Sequence, residues 1–217
     1  QGHTVPLDKQ TATGWGYIEL PNDANLSDNR FYFVFGPPPA RQTVIVTQQT
    51  RFARAVEMIV TSPLSPASDY NAQVISPDQL YTIDWQKTSL IVWHGPLPMS
   101  DQAEQLETFV QSGRPIVFFP PQQPDDTAWC GVSWGRWVKS PPNEPWLIQN
   151  WRGDSDLLRH TDNGTPLPLG KLQIHQYCTL NNAGSPLATL DDTAPFITRG
   201  ANGRGFYYFC ATLPTAA

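Results

Sequence analysis

Covalent catalysis by a thiol needs a cysteine on a tight turn, backbone N–H groups to receive the developing oxyanion, and a histidine within reach. This chain of 217 residues has three cysteines, Cys130, Cys178 and Cys210, and four histidines, His3, His94, His160 and His175. The apolar run Ile116-Val-Phe-Phe119 reads as a buried strand whose end could carry a nucleophile, yet it runs into Pro120-Pro121. Prolines offer no attacking group and remove the backbone donors that an oxyanion site would use. Cys130, in Ala128-Trp-Cys-Gly-Val132, is the thiol nearest that strand in sequence. It follows a polar loop, Asp125-Asp-Thr127, so the strand–turn–helix setting of an activated nucleophile is missing. No catalytic residue is assigned.

His94 is the most suggestive polar residue. It ends the apolar run Ser89-Leu-Ile-Val-Trp-His94, and the carboxyl ends of parallel strands line the binding crevice of open α/β sheets. His94 and Gly95 could face that crevice, or the imidazole could close the strand by bonding a neighbouring loop. Gln48 and Gln49 end the run Thr43-Val-Ile-Val-Thr47. They could read a polar ligand at the same crevice or cap the helix that follows. Gln48, Gln49, His94, Gly95, Pro120 and Cys130 form the candidate binding set. No metal site is expected, because neither Cys-x-x-Cys nor His-x-x-x-His occurs. Asp154, Asp156 and Asp162 lack the spacing of a Ca²⁺ loop and read as solvated turn residues. Gln48-Gln-Thr-Arg51 has no glycine to let the backbone close on a phosphate. No cofactor is expected.

The elements that must hold these residues can be read from periodicity. Gly14-Trp-Gly-Tyr-Ile-Glu-Leu20 alternates like a strand, Pro21 to Asn29 is turn chemistry, and Arg30-Phe-Tyr-Phe-Val-Phe35 is a second strand. Two strands alone cannot bury their faces. They must pack on the main domain or close an upstream β-domain, and Gly36-Pro-Pro-Pro39 then forms a stiff connector. Residues 1–39 are therefore an N-terminal β extension with a connector, and 40–217 are the main domain. Phe52, Ala55, Val56, Ile59 and Val60 share one helix face. Ala72-Gln-Val-Ile75 is a further strand. A helix from Asp101 to Gln111 takes Ser100 as its N-cap and Gly113 as its C-cap. Strand, helix, strand, strand, helix, strand predicts a small doubly wound, flavodoxin-like α/β domain with a mostly parallel sheet. Residues 120–168 carry five of the eight tryptophans and the Pro141-Pro142 pair. They read as an irregular Trp-rich excursion with a helix near Asp154 to Leu158. The runs Leu172 to Cys178, Ala188 to Leu190, Pro195 to Thr198 and Gly205 to Ala211 predict antiparallel strands added to the sheet edge. Cys178 and Cys210 both fall in these runs, as buried free thiols or as one disulfide.

Composition narrows the partners. A formal charge of −5 with no basic stripe argues against nucleic acid. No apolar run approaches the ~20 residues that span a bilayer, so this segment is not expected to contact a membrane itself.

Two groups of residues carry a family resemblance. Gly16-Tyr-Ile-Glu-Leu-Pro-Asn-Asp23, Asp28-Asn-Arg-Phe-Tyr-Phe33 and Val44-Ile-Val46 resemble the passage of BatA-type aerotolerance membrane proteins, a bacterial group, where a small β-domain runs into a glutamine amidotransferase-like domain. Ile91-Val-Trp-His-Gly-Pro-Leu-Pro98, Phe109-Val-Gln-Ser-Gly113, Asp162-Asn-Gly-Thr-Pro-Leu-Pro-Leu-Gly170 and Gly203-Arg-Gly-Phe-Tyr207 resemble later landmarks of the same group. The resemblance implies a class I glutamine amidotransferase-like fold within a longer membrane-anchored protein. It implies an extracytoplasmic, periplasmic position, with a cytoplasmic one left open, and partners among the other domains of that protein and its associates. An active amidotransferase also carries a nucleophilic Cys between glycines and a downstream His-x-Glu, and both are missing here. The expected function is non-catalytic ligand or protein binding. The alternatives are a divergent hydrolase or amidotransferase pairing Cys130 with His94 or His160, and a structural spacer.

Overall fold

The computed structural model describes residues 14–20, 29–36, 41–62, 70–154, 156–161 and 163–214. His3, the turn at 21–28, the prolines of the connector and Asp162 lie outside the described residues. Strands β1 (Gly14–Glu19) and β2 (Arg30–Phe35) pair antiparallel as a separate two-stranded sheet. Its register sets Phe35 over Gly14 and Phe33 over Gly16, where a Cβ would meet the rings at 2.6 and 2.8 Å.

The main sheet has nine strands and begins with β3 (Arg41–Val46), α1 (Thr50–Val60), β4 (Tyr70–Ile75), β5 (Thr88–His94), α2 (Ser100–Gln111) and β6 (Ile116–Phe119). Then come β7 (Ala128–Trp129), β8 (Val132–Lys139), β9 (Trp146–Trp151), β10 (Gln173–Ile174), β11 (Gln176–Asn181), β12 (Ser185–Leu190), β13 (Pro195–Asn202) and β14 (Gly205–Cys210). The order is β10-β9-β12-β13-β14-β6-β5-β3-β4. Strands β4, β3, β5, β6 and β14 run parallel, and β13, β12, β9 and β10 continue antiparallel from β14. This is the expected α/β architecture, except that β14 lies inside the sheet and pairs parallel with β6, where an antiparallel edge strand was expected. The parallel strands are apolar on both sides because both faces are covered. Val44, Val46, Ile91 and Trp93 pack under Leu106, Phe109 and Val110 of α2. The alternate residues Ile45 and Val92 pack under Phe52 and Val56 of α1 on the opposite face.

Three local expectations change. Ser100 does not cap α2: it is the first helical residue, at φ +50, and Met99 precedes it without a side-chain cap. A capping serine needs extended backbone, which this φ denies. The Trp-rich stretch is not irregular. It contributes β9 to the main sheet and β7 and β8 to a three-stranded sheet with β11, which packs Trp129, Val132 and Trp134 onto the core beneath α2. The run Leu172 to Cys178 is two strands in two sheets, broken by the bend at His175. All three cysteines are free thiols.

Asp156 also departs from its reading as a solvated turn residue. Its carboxylate is 7% exposed, pairs with Arg199 and accepts a 2.7 Å hydrogen bond from the Tyr208 hydroxyl. Burial opposes ionisation, but the Tyr208 and Leu157 N–H bonds and the Arg199 charge hold its carboxyl below the usual range. The residue sits at φ +69 in a single 3-10 turn, Asp156–Leu158, where a longer helix was expected. It fastens that turn to β13 and β14. Asp156→Ala should cost about 3 kcal/mol in urea unfolding, because it leaves the arginine and the hydroxyl without their acceptor. Asp156→Asn should cost less, since it keeps an acceptor and tolerates the positive φ.

Candidate functional site

The chain leaves β3 for α1 on one face and leaves β5, its neighbour, for α2 on the other. Departures in opposite directions open a crevice at the carboxyl ends of the strands, the topological switch point of a doubly wound sheet. Here the crevice measures about 450 Å³ and is lined by Gln48, Gln49, Pro77, His94, Gly95, Pro96, Pro121, Gln122 and Gln123. Four of the six residues read from sequence are present: Gln48, Gln49, His94 and Gly95. Gln49 is the N-cap residue of α1, but its side chain makes no capping bond.

His94 is the best-fixed group. It is 3% exposed. Its ring stacks on Phe52 of α1 at 4.3 Å between centroids, and Nδ1 lies 2.7 Å from Thr47 Oγ1. Thr47 Oγ1 already accepts the Gln49 backbone N–H at 3.0 Å. The hydroxyl keeps a second lone pair as well as its proton, so the contact with Nδ1 serves either neutral tautomer of the ring. Nε2 is buried and has no partner in the protein. Burial lowers the imidazole pKa from 6.5 to about 4, so the ring is neutral at physiological pH. The ring is held by Thr47 and Phe52 and carries no charge to the crevice.

The walls are tied by indoles. Trp93 Nε1 donates to Pro96 O at 2.8 Å, and Trp137 Nε1 donates to Pro121 O at 3.0 Å. Gly95 has φ +142 with open space around its Cα, so the backbone conformation requires glycine there and crowding does not.

Pro120 and Cys130 require correction. Pro120 and Pro121 are both buried, and of the two only Pro121 belongs to the crevice lining. Cys130 does not line the crevice. Its Sγ accepts from Asn202 Nδ2 at 3.7 Å, beside the β13–β14 turn. Burial, with the Glu107 charge adding, pushes the thiol up to about 11, opposite to the shift that activates a nucleophile. Neither His94 nor His160 is among its hydrogen-bond partners. Sequence reading missed Gln122 and Gln123. Their signal was present, two polar residues directly after a strand-ending proline pair. Among the described residues no group of three or more His, Cys, Asp or Glu is placed to hold a metal ion.

No protein-family model matches the chain, and no curated protein matches it. Solved structures do. A Bacteroides uniformis protein described as ThuA-like superposes with a TM-score of 0.55 at 11% identity, over 88% of this chain and 85% of that one. The cold-adapted β-galactosidase of Rahnella gives 0.49 at 13% identity over 79% of this chain. A cytoplasmic protein of Salmonella typhimurium gives 0.48 at 9% identity, over 94% of this chain and 86% of its own. The chain spans 28% of the β-galactosidase's length. The ThuA-like match covers most of both chains, so the chain shares the α/β fold of that protein.

The neutral His94 makes stability depend on pH. The unfolded chain takes up the proton near pH 6.5 and the folded chain only near 4. The stabilisation is whole above pH 6.5 and is lost as pH falls through that window, by about 3 kcal/mol at roughly 1.4 kcal/mol per unit. Urea unfolding of the wild type should follow this slope, and His94→Leu should flatten it.

Proposed function

We propose that this domain is a non-catalytic recognition module, glutamine amidotransferase-like in fold, within a larger membrane-anchored protein. The observation that carries the reading is the switch-point crevice. It presents carboxamides and a neutral imidazole, while the strand end that would bear a nucleophile is occupied by Pro120 and Pro121. Such a surface offers hydrogen bonds without covalent chemistry. The membrane setting rests on the resemblance to BatA-type proteins. Exposed apolar side chains on β1 and β2, with Val34 84% accessible, fit a strand pair covered by a neighbouring domain of the same protein. The divergent hydrolase reading is disfavoured by the raised pKa of Cys130 and by its absence from the crevice lining.

Two measurements test this. In the native protein Cys130 should react with iodoacetamide at least about tenfold more slowly than free cysteine, as a protonated thiol must. Rapid alkylation with concurrent hydrolysis of a glutamine amide would restore the enzyme reading. Gln49→Ala/Gln122→Ala in the full-length protein should reduce recovery of associated proteins or ligands from membrane extracts about fivefold. That is the ~1 kcal/mol expected of a consequential contact. Unchanged recovery would favour a spacer role.

A further inference from the structure

The chemistry of the crevice lining indicates what enters it, an inference that rests on reading the crevice as a recognition site. Gln48 and Gln49 come from the end of β3, and Gln122 and Gln123 follow β6. Because β5 lies between β3 and β6 in the sheet, the two glutamine pairs flank His94. Each carboxamide both donates and accepts hydrogen bonds. The rest of the lining is three prolines, a glycine and the neutral imidazole, with no Asp, Glu, Lys or Arg among the lining residues. A charged ligand would find no counter-charge while losing water. An aliphatic or aromatic ligand would strip water from the amides and replace none of their hydrogen bonds. The matching ligand is uncharged, and its polar groups each donate and accept. Neighbouring ring hydroxyls of a sugar meet both conditions.

His94 lines the crevice between the two glutamine pairs, with its Nε2 buried. The first turn of α1, which starts beside Gln49 without a side-chain cap, favours partial negative charge. Hydroxyl oxygens supply that. The volume of about 450 Å³ lies within the roughly 300–1,000 Å³ of small-molecule sites. We propose that the crevice binds a neutral saccharide, whose hydroxyls exchange hydrogen bonds with glutamines on both walls.

The test titrates ¹⁵N-labelled protein with methyl glucoside, methyl galactoside, glucuronate, glucosamine and N-acetylglycinamide. It follows the glutamine side-chain amides and the His94 ring by NMR. At least one neutral glycoside should shift these signals with a Kd of about 1 mM. Glucuronate and glucosamine should bind about tenfold more weakly, as should the neutral glycoside to Gln49→Ala/Gln122→Ala, whose spectrum elsewhere stays native. Equal or tighter binding of a charged sugar, or undiminished binding by the double variant, overturns the inference. Shifts with N-acetylglycinamide but no glycoside overturn the saccharide and leave the recognition site standing. If no probe moves the crevice signals, the saccharide is again overturned. The recognition reading itself falls only if membrane-extract recovery is also insensitive to the double variant.

Discussion

The hydrogen bond between Thr47 and His94 joins the ends of the two strands from which the chain departs to opposite faces of the sheet. Both residues are buried and the bond is 2.7 Å. It fixes three things together. It holds the mouths of β3 and β5 in register where no strand ladder continues. It pairs Nδ1 with an oxygen that also accepts the Gln49 N–H. It keeps the ring in a buried position, where desolvation leaves the imidazole neutral. Phe52, stacked against the ring and set edge-on to Phe119 at 5.1 Å, keeps the histidine from rotating to another partner.

The rest of the crevice is shaped by residues that lack backbone donors. Pro96, Pro98, Pro120, Pro121 and Pro124 populate its two loops, so these loops cannot be held by ordinary turn hydrogen bonds. Indole donors from the core take over that role at Pro96 and Pro121. This gives the small β7-β8-β11 sheet a share in the site. Trp137 belongs to β8, and its ring reaches back to the loop that carries Gln122 and Gln123. The same prolines that remove a nucleophile's setting thus produce a rigid, uncharged wall.

How much of this was legible in the sequence follows from which signals are local. Strands β3 to β6 and both helices declare themselves through apolar runs and helical spacing, and the structure keeps them in the expected order, whereas nothing local marked β14 as a parallel strand. Gln48, Gln49, His94 and Gly95 were placed at the crevice by one topological rule. Cys130 was misplaced because proximity in sequence to β6 says nothing about where the chain travels after Pro121. The tryptophan-rich stretch looked irregular because prolines and Gly135 masked its alternation. Gly135 is a glycine for a tertiary reason: a Cβ there would lie 2.2 Å from Thr179 Oγ1 on the paired strand β11. The role of Asp156 was likewise hidden, since its partners Arg199 and Tyr208 lie more than forty residues away. Long-range polar pairing of that kind leaves no periodic trace.

The most direct measurement of this account is a long-range ¹H–¹⁵N correlation spectrum of the His94 ring, recorded between about pH 5 and 8. The geometry predicts a single neutral tautomer held by the Thr47 bond, and no titration across that range. A mixture of tautomers, or a ring that takes up a second proton near pH 6.5, would contradict it.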